Sequence, residues 1–215
     1  PHVSCTLAPG ERLASEAVTS KPGWFDLISG RTKSTRDNSS LSGAIFPGTF
    51  SPLHQGHQEI ARIAKELLGT EVTMEISVFN VDKTPLDYIE MARRLQNVGE
   101  QFEMVFTHAP TFLDKARLFP GTTFVVGIDT MERIVSPRYY QNSEKRRDEA
   151  LTEIRDLGNR FLVFGRLQDS AFRSLDDLEL TDFIRKICTA VPESRFRVDI
   201  SSTHLRAEDH DHPLS

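Results

Sequence analysis

Two histidines three residues apart, His54 and His57, have the residue type and the spacing that suit chemistry on a phosphate group. An imidazole donates a hydrogen bond to a phosphoryl oxygen, and a protonated ring adds positive charge where a transition state gains negative charge. Residues three apart at the start of a helix share one face, so both rings can contact the same anion. We therefore expect His54 and His57 to be catalytic residues.

The neighbouring residues predict the elements that position this pair. The apolar run 44–46 predicts a buried strand, which Pro47 and Gly48 end. Apolar residues at helical spacing predict a helix that starts close to the histidines. The N-terminus of that helix offers unpaired backbone N–H groups to a phosphate, and the missing Cβ atoms of Gly48 and Gly56 allow a ligand close to the backbone.

The stretch 46–57, FPGTFSPLHQGH, resembles the HxGH signature of the nucleotidylyltransferase superfamily, which includes nicotinamide-mononucleotide adenylyltransferases and cytidylyltransferases. The resemblance extends over residues 43–206 with the order of motifs intact. In detail it is greatest to the cytidylyltransferase-like domain appended to competence-damage-inducible type proteins. It implies a nucleoside triphosphate substrate, and around the signature the implied nucleotide-binding residues are Phe46, Gly48, Thr49, Phe50 and Gly56.

A second motif is the segment 200–206, ISSTHLR. Hydroxyl groups at a helix start cap free N–H groups, and the same start can hold a phosphate, with Arg206 one turn after Ser202 on the same face. The residues alone leave both interpretations open. The segment also resembles the ISSTxxR motif of the superfamily, which implies that Ser201, Ser202, Thr203 and Arg206 bind the triphosphate.

Polar residues at the ends of other predicted strands have two interpretations each. Asp129, in the GxDT-like stretch 127–130, is either a helix cap or a substrate contact, and Arg166 is either a surface arginine or a nucleotide contact. A solvated turn equally explains Asn80 and its neighbours. The resemblance implies that Arg166 binds the nucleotide. It implies an acceptor site at Asn80, Lys83, Arg94, Gly127, Asp129, Tyr139 and Tyr140.

Two pairs of neighbouring residues have more than one possible role. Only one of Arg93 and Arg94 can easily face a pocket. Tyr139 and Tyr140 are either a core aromatic pair or a stacking surface for a flat ring. Pyridine-nucleotide members of the superfamily hold the ring with a tryptophan after the GxD helix, whereas the one tryptophan of this chain is Trp24.

Strands alternate with helices along the chain, which predicts an α/β fold. We expect a Rossmann-like, doubly wound, mostly parallel sheet of five or six strands with helices on both faces. Ligands in such sheets bind beyond the carboxyl ends of the strands, where the motif residues collect. The predicted strands are 44–46, 72–79, 103–107, 122–127, 160–164 and 196–200. The helices predicted between them include one opened by Pro85, 112–118, 143–157 and 180–187.

We expect three parts in the chain: an N-terminal extension or interdomain linker (1–41), a nucleotidyltransferase domain (42–206) and a flexible tail (207–215). The extension should pack on the domain through Trp24 and Phe25. Because the sequence starts at Pro1, we expect a fragment of a longer chain with an upstream domain.

Composition excludes several classes of protein. The chain has 215 residues, a net charge of −5 and no long basic run, which argues against nucleic-acid binding. No apolar stretch reaches membrane-span length and no signal peptide is evident. Cys5 and Cys188 lie far apart, as free thiols in a reducing compartment would. We therefore expect a cytoplasmic protein without nucleic-acid or membrane partners, and a homo-oligomer is compatible with this composition.

Other reaction classes lack their motifs. There is no phosphate-loop pattern and no supported Ser-His-Asp or Cys-His arrangement. Metal-assisted hydrolysis on the two histidines lacks a third ligand, so we expect no metal held by the protein itself.

The resemblance implies a nucleotidyltransferase that moves a nucleoside monophosphate from ATP or CTP to a phosphorylated small-molecule acceptor and releases pyrophosphate. Nicotinamide or nicotinate mononucleotide is one such acceptor. Mg²⁺ would arrive with the triphosphate. The alternative is a nucleotide-binding regulatory or scaffold module of a larger enzyme, without turnover of its own.

Overall fold

Six parallel strands form the central sheet of the computed structural model, which describes residues 19–36, 43–80, 84–99, 101–168 and 171–196. With the strands numbered in chain order, their order across this sheet is 3-2-1-4-5-8. Strands 6 and 7 form a separate antiparallel pair. The strands are β1 (Ala44–Pro47), β2 (Val72–Ser77), β3 (Met104–Thr107), β4 (Thr123–Gly127), β5 (Arg160–Phe164), β6 (Arg166–Gln168), β7 (Ala171–Arg173) and β8 (Cys188–Val191).

Helices cover both faces of the sheet, which confirms the predicted Rossmann-like α/β fold. Helices α2 and α3 pack on one face, and α4 to α7 pack on the other. Two 3₁₀ helices, 137–140 and 175–177, lie among them. The α-helices are α1 (Trp24–Ile28), α2 (Gln55–Leu68), α3 (Tyr88–Val98), α4 (Phe112–Leu118), α5 (Ile128–Val135), α6 (Glu144–Asp156) and α7 (Asp182–Arg185).

Successive residues of the central strands enter opposite cores. On β5, Phe161 packs with the α4–α7 side, whereas Leu162 packs with the α2–α3 side. Side chains alternate across a strand, so a strand covered on both faces needs apolar residues at every position. This explains why β4 and β5 read as continuous apolar runs in the sequence.

The sheet has a switch point between β1 and β4. From β1 the chain proceeds to β2 and β3 on one side, and β4, β5 and β8 lie on the other. β1 and β4 pair only at Ala44↔Thr123 and Ile45↔Phe124, near their amino ends. In open α/β sheets a crevice at this point is the usual ligand site, so residues that follow β1 and β4 are the ones placed to bind a ligand.

The last predicted strand, 196–200, lies outside the described ranges except for Phe196, which packs edge-on against Phe164 with ring centroids 5.1 Å apart. The sixth strand of the described sheet is β8, which is not among the strands predicted from the sequence. Within the described part of the chain β8 is an edge strand, and its middle residues are exposed. An edge strand with exposed side chains needs few apolar residues, so the apolar pattern that predicts a strand is weak in β8.

Two predicted helices differ from the structure at their ends. The helix expected from Pro85 begins at Tyr88, because the Asp87 side chain accepts a hydrogen bond from the Glu90 N–H and caps it there. The helix predicted over 180–187 is the shorter α7, and the strand β8 follows it directly.

The segment before β1 packs on the edge strand β3. Trp24 is buried, stacks on Tyr88 at 6.3 Å and meets Phe106 edge-on at 5.6 Å, which confirms it as an anchor. Phe25 is 58% exposed, so its predicted anchoring role is wrong. The N–H of Thr35 donates to the carbonyl of Phe106 at 3.0 Å, and this pairing covers the β3 edge. The domain boundaries themselves remain predictions. Among the described helices, none is long and apolar enough to cross a membrane.

Candidate active site

The two histidines form a stacked pair at the start of α2. His54 is the N-cap residue, and His57 lies in the first turn. Their ring centroids are 3.7 Å apart at an interplanar angle of 27°. The backbone N–H of His54 donates to Nδ1 of His57 at 3.3 Å. Because Nδ1 of His57 accepts this bond, the proton of the neutral ring resides on Nε2, which is left to donate to a ligand.

An aromatic cluster holds His57 in place. The ring of Phe50 is fully buried, and its centroid lies 5.1 Å from that of His57 and 5.3 Å from that of Phe46. A Cβ atom on Gly48 would lie 2.5 Å from Cζ of Phe50. The missing Cβ of Gly48 therefore makes room for the chain's own aromatic ring, and the close approach of a ligand to this glycine stays a prediction.

Burial changes the proton affinity of both imidazoles. Desolvation, followed by the charge of His54, lowers the pKa of His57 from 6.5 to about 3, and burial also lowers the pKa of His54. Both rings are neutral at pH 7 in the free protein. In the free protein the pair therefore acts as neutral hydrogen-bond donors, and a bound anion raises these pKa values; the predicted role of a protonated ring in a transition state stays a prediction.

A cleft of about 1420 Å³ opens at the carboxyl ends of β1 and β2. Residues of α3, α4, α5, α6 and the 3₁₀ helix 137–140 line it. The histidines lie on the continuation of the chain beyond Thr49, outside the lining of this cleft. The predicted site residues that line it together are Gly48, Thr49, Asn80, Arg94, Tyr139 and Tyr140.

Of the two neighbouring arginines, Arg94 faces the cleft. Its side chain is 13% exposed and lies 3.5 Å from the carboxylate of Glu90, whereas that of Arg93 is 63% exposed. Burial lowers the pKa of Arg94. Among the described residues the Nε atom of Arg94 has no hydrogen-bond partner. A buried guanidinium with a free donor in a cleft is suited to an anionic group of a ligand.

The two tyrosines of the 3₁₀ helix have different environments. The Tyr140 hydroxyl donates to the carbonyl of Ile134 at 2.9 Å, and burial raises the pKa of Tyr140 to about 12. Tyr139 is 37% exposed on the wall of the cleft. Tyr140 therefore fixes the 3₁₀ helix to the end of α5, and Tyr139 is the ring available for stacking.

Two predicted site residues from different strands pair with each other. Asp129 lies in the first turn of α5, and its carboxylate accepts from the guanidinium of Arg166 on β6 at 2.5 Å. One turn along α5, Glu132 pairs with Arg173 of β7 at 2.9 Å. Gly127 is the N-cap of α5 and has open space where a Cβ would lie. Gly127, Asp129 and Arg166 are close to the switch point but do not line the cleft.

Sequence reasoning missed a buried ion pair at the floor of the cleft. Nζ of Lys115 lies 2.8 and 2.9 Å from the two carboxylate oxygens of Glu75 and 2.8 Å from the carbonyl of Ala109. The Thr107 hydroxyl also donates to Glu75. The sequence did contain a sign of this pair: Glu75 lies inside a predicted buried strand, and a buried charge requires a partner. Two further cleft residues, Arg133 and Arg146, lie in helices where they read as surface charges.

Several predicted residues lie outside the described ranges, namely Lys83, Ser201, Ser202, Thr203 and Arg206. Gly56 is buried in the first turn of α2, behind the histidines. Within the described ranges, no group of three or more histidine, cysteine, aspartate and glutamate side chains is arranged to hold a metal ion.

Residues 45–208, more than half of the chain, match the family described as Cytidylyltransferase-like. The chain belongs to this family. The match confirms the resemblance to the nucleotidylyltransferase superfamily, and members of the Cytidylyltransferase-like family are generally nucleotidyltransferases. A search of curated proteins found no match to the chain.

Proposed function

We propose that this Cytidylyltransferase-like domain transfers a nucleoside monophosphate from ATP or CTP to a phosphorylated small-molecule acceptor and releases pyrophosphate. The observation that carries this proposal is the neutral His54–His57 pair at the N-terminus of α2, beside a cleft at the switch point of the sheet. Neutral imidazole donors and a helix N-terminus are suited to the phosphates of a triphosphate rather than to nucleophilic attack.

The reaction is a direct displacement. An oxygen of the acceptor phosphate attacks the α-phosphorus, and the new O–P bond forms as the bond to pyrophosphate breaks. The attacking phosphate oxygen is already ionised at pH 7, so no general base is required. Catalysis then depends on placing two anions in line and on stabilising the charge that develops on the leaving group.

The histidines perform that stabilisation. Nε2–H of His57 donates to a phosphoryl oxygen while its Nδ1 remains bonded to the His54 N–H. The negative charge of the triphosphate raises the pKa values of both rings, and His57 stays neutral as long as its Nδ1 accepts from the His54 N–H. Thr49 and Arg166, with the segment 201–206, provide further contacts to the triphosphate in this proposal, and Arg94 and Asn80 contact the acceptor.

Mg²⁺ enters as part of the nucleotide substrate, held by phosphate and water, and it neutralises charge on the leaving pyrophosphate. Two of the described carboxylates near the site have cationic partners within the protein. Glu75 is bound to Lys115, and Asp129 is bound to Arg166. This donor set fits an ion carried by the nucleotide.

Pyrophosphate release tests the proposal. We would cross ATP and CTP with nicotinamide mononucleotide, nicotinate mononucleotide and other phosphorylated acceptors in the presence of Mg²⁺. Release should depend on one acceptor, disappear in His57→Ala and persist in His108→Ala, a histidine outside the pair. Triphosphate binding without release across the panel would instead identify a regulatory or scaffold module.

A further inference from the structure

The cationic residues of the cleft are not all neutralised. Lys115 is bound to Glu75, and Arg94 lies beside Glu90. In the same cleft, Arg133 of α5 and Arg146 of α6 make no ion pair with any carboxylate in the described part of the chain. Within the described part of the chain, these two arginines of the cleft therefore carry positive charge that no carboxylate balances.

This absence of partners is unusual for arginines of this protein. Most arginines in the described ranges lie within ion-pair distance of an aspartate or glutamate, and even exposed ones such as Arg62 and Arg117 do so. The described arginines without such a partner are Arg133, Arg138, Arg146, Arg160 and Arg195. Of these five, Arg133 and Arg146 are the two that line the cleft.

Hydrogen bonds anchor the helices that carry these two arginines. The hydroxyl of Tyr140 donates to the Ile134 carbonyl, which fixes the 3₁₀ helix 137–140 to the turn of α5 that contains Arg133. The side chain of Ser143 accepts from the N–H of Arg146 and caps α6 there. The two arginines thus come from separate, well-anchored helices that converge on the same cleft as Thr49 and Arg94.

We infer that the acceptor carries a second anionic group, a carboxylate or a second phosphate, in addition to the phosphate that attacks the nucleotide, and that Arg133 and Arg146 bind it. The inference rests on the proposed function, because it describes the acceptor of that reaction. Guanidinium groups bind both kinds of oxyanion through paired N–H donors. Among the described residues, no carboxylate pairs with these arginines and would compete with such a ligand.

Matched acceptor analogues separate the second anion from the rest of the ligand. The pairs are nicotinate mononucleotide against nicotinamide mononucleotide, 3-phosphoglycerate against glycerol 3-phosphate, and fructose 1,6-bisphosphate against fructose 6-phosphate. The first two pairs test a carboxylate, and the third tests a second phosphate. Affinity is measured by calorimetry with a saturating α,β-methylene analogue of ATP or of CTP, which cannot release pyrophosphate, so the readout needs no turnover.

For at least one pair, the protein should bind the more anionic member about 10-fold more tightly. The double variant Arg133→Gln/Arg146→Gln should bind both members equally, with the affinity for the less anionic one unchanged. Arg138→Gln is the matched control, because this exposed arginine lies between the two in sequence but outside the cleft, and it should keep the preference. Both substituted arginines are exposed, so the folded state should persist.

The inference is wrong if no pair shows the preference, or if the preference survives in the double variant. Its failure is distinguishable from failure of the proposed function. Nucleotidyl transfer to an acceptor with one anionic group would overturn the inference alone. A preference that the double variant loses, in a protein that releases no pyrophosphate with any acceptor, would retain the anion site and overturn the transfer reaction.

Discussion

The backbone N–H of His54 donates to Nδ1 of His57, and the two rings stack with centroids 3.7 Å apart. This contact makes one histidine the positioning group of the other. It also requires Nδ1 of His57 to stay unprotonated, so protonation of this ring would cost both the hydrogen bond and a buried charge beside Phe50.

The first expectation concerns stability against pH. The pKa of His57 is about 3 in the folded protein and has the ordinary histidine value of 6.5 in the unfolded chain, so between these values the unfolded state binds a proton that the folded state does not. Stability therefore falls as the pH falls below 6.5. From pH 7 to pH 5 the His57 contribution to the free energy of unfolding should decrease by about 2 kcal/mol.

Urea unfolding of the wild type and of His57→Gln at both pH values measures this difference. The variant should lose less stability on acidification than the wild type, while His54→Gln should show an intermediate loss because the pKa of His54 is lowered as well. Parallel losses in all three proteins would show that His57 is not buried as a neutral ring.

The second expectation concerns the glycine at the end of β1. A methyl group on Gly48 would overlap the ring of Phe50, and Phe50 could yield only by moving away from His57. Gly48→Ala should lower the free energy of unfolding by roughly 1–3 kcal/mol and reduce turnover at the same time.

The matched control is Gly127→Ala, at the end of β4. No atom lies within 4 Å of the position of its Cβ, and its φ of −79° is open to alanine. This variant should lose less than about 1 kcal/mol, since alanine is a poorer N-cap than glycine but meets no atom. Thermal unfolding of Gly48→Ala and Gly127→Ala measures the two losses of stability. Equal losses would contradict the steric argument.

Much of the fold could be predicted because its signals are local. The predicted ranges 112–118 and 160–164 are the observed α4 and β5, since apolar spacing and flanking turns define both. The HxGH stretch likewise located β1 and the start of α2. By contrast, β8 is an edge strand that pairs with β5 across more than twenty residues, and its position depends on that partner.

The site was less predictable because its chemistry depends on contacts between distant residues. Spacing placed His54 beside His57, but the neutral state of the pair follows from burial by Phe50. Lys115 and Glu75 are forty residues apart, and no local pattern pairs them. Arg133 and Arg146 line the same cleft because α5 and α6 converge there, which no local pattern in the sequence indicates.

The third expectation concerns the ion pair at the floor of the cleft. Lys115→Met would leave Glu75 buried without its cation, and such a loss typically costs about 3–5 kcal/mol. The double variant Lys115→Met/Glu75→Met removes both charges and should recover most of that cost. Chemical denaturation of the single and double variants gives the coupling free energy.

Arg117→Gln provides the comparison on the same helix. Its ion pair with Glu153 is solvent-exposed, so the loss should be below about 1 kcal/mol. Failure of the double variant to recover stability would show that the carboxylate of Glu75 has a role other than pairing with Lys115, such as holding the Thr107 hydroxyl.

The last expectation concerns Arg166, which is bound to Asp129 in the free protein. If Arg166 transfers from this carboxylate to a phosphate when the triphosphate binds, the two substitutions have opposite effects. Arg166→Gln should weaken ATP or CTP binding several-fold, whereas Asp129→Asn should strengthen it, because the arginine no longer leaves a charged partner. Calorimetric titration of the triphosphate without acceptor measures both affinities.

Glu132→Gln is the control for this prediction. It breaks the adjacent pair with Arg173, which joins the same helix and hairpin, and it should leave the affinity for the triphosphate unchanged. Weaker binding in Asp129→Asn would instead mean that Asp129 positions Arg166 for the nucleotide, and the ion pair would then be part of the bound state.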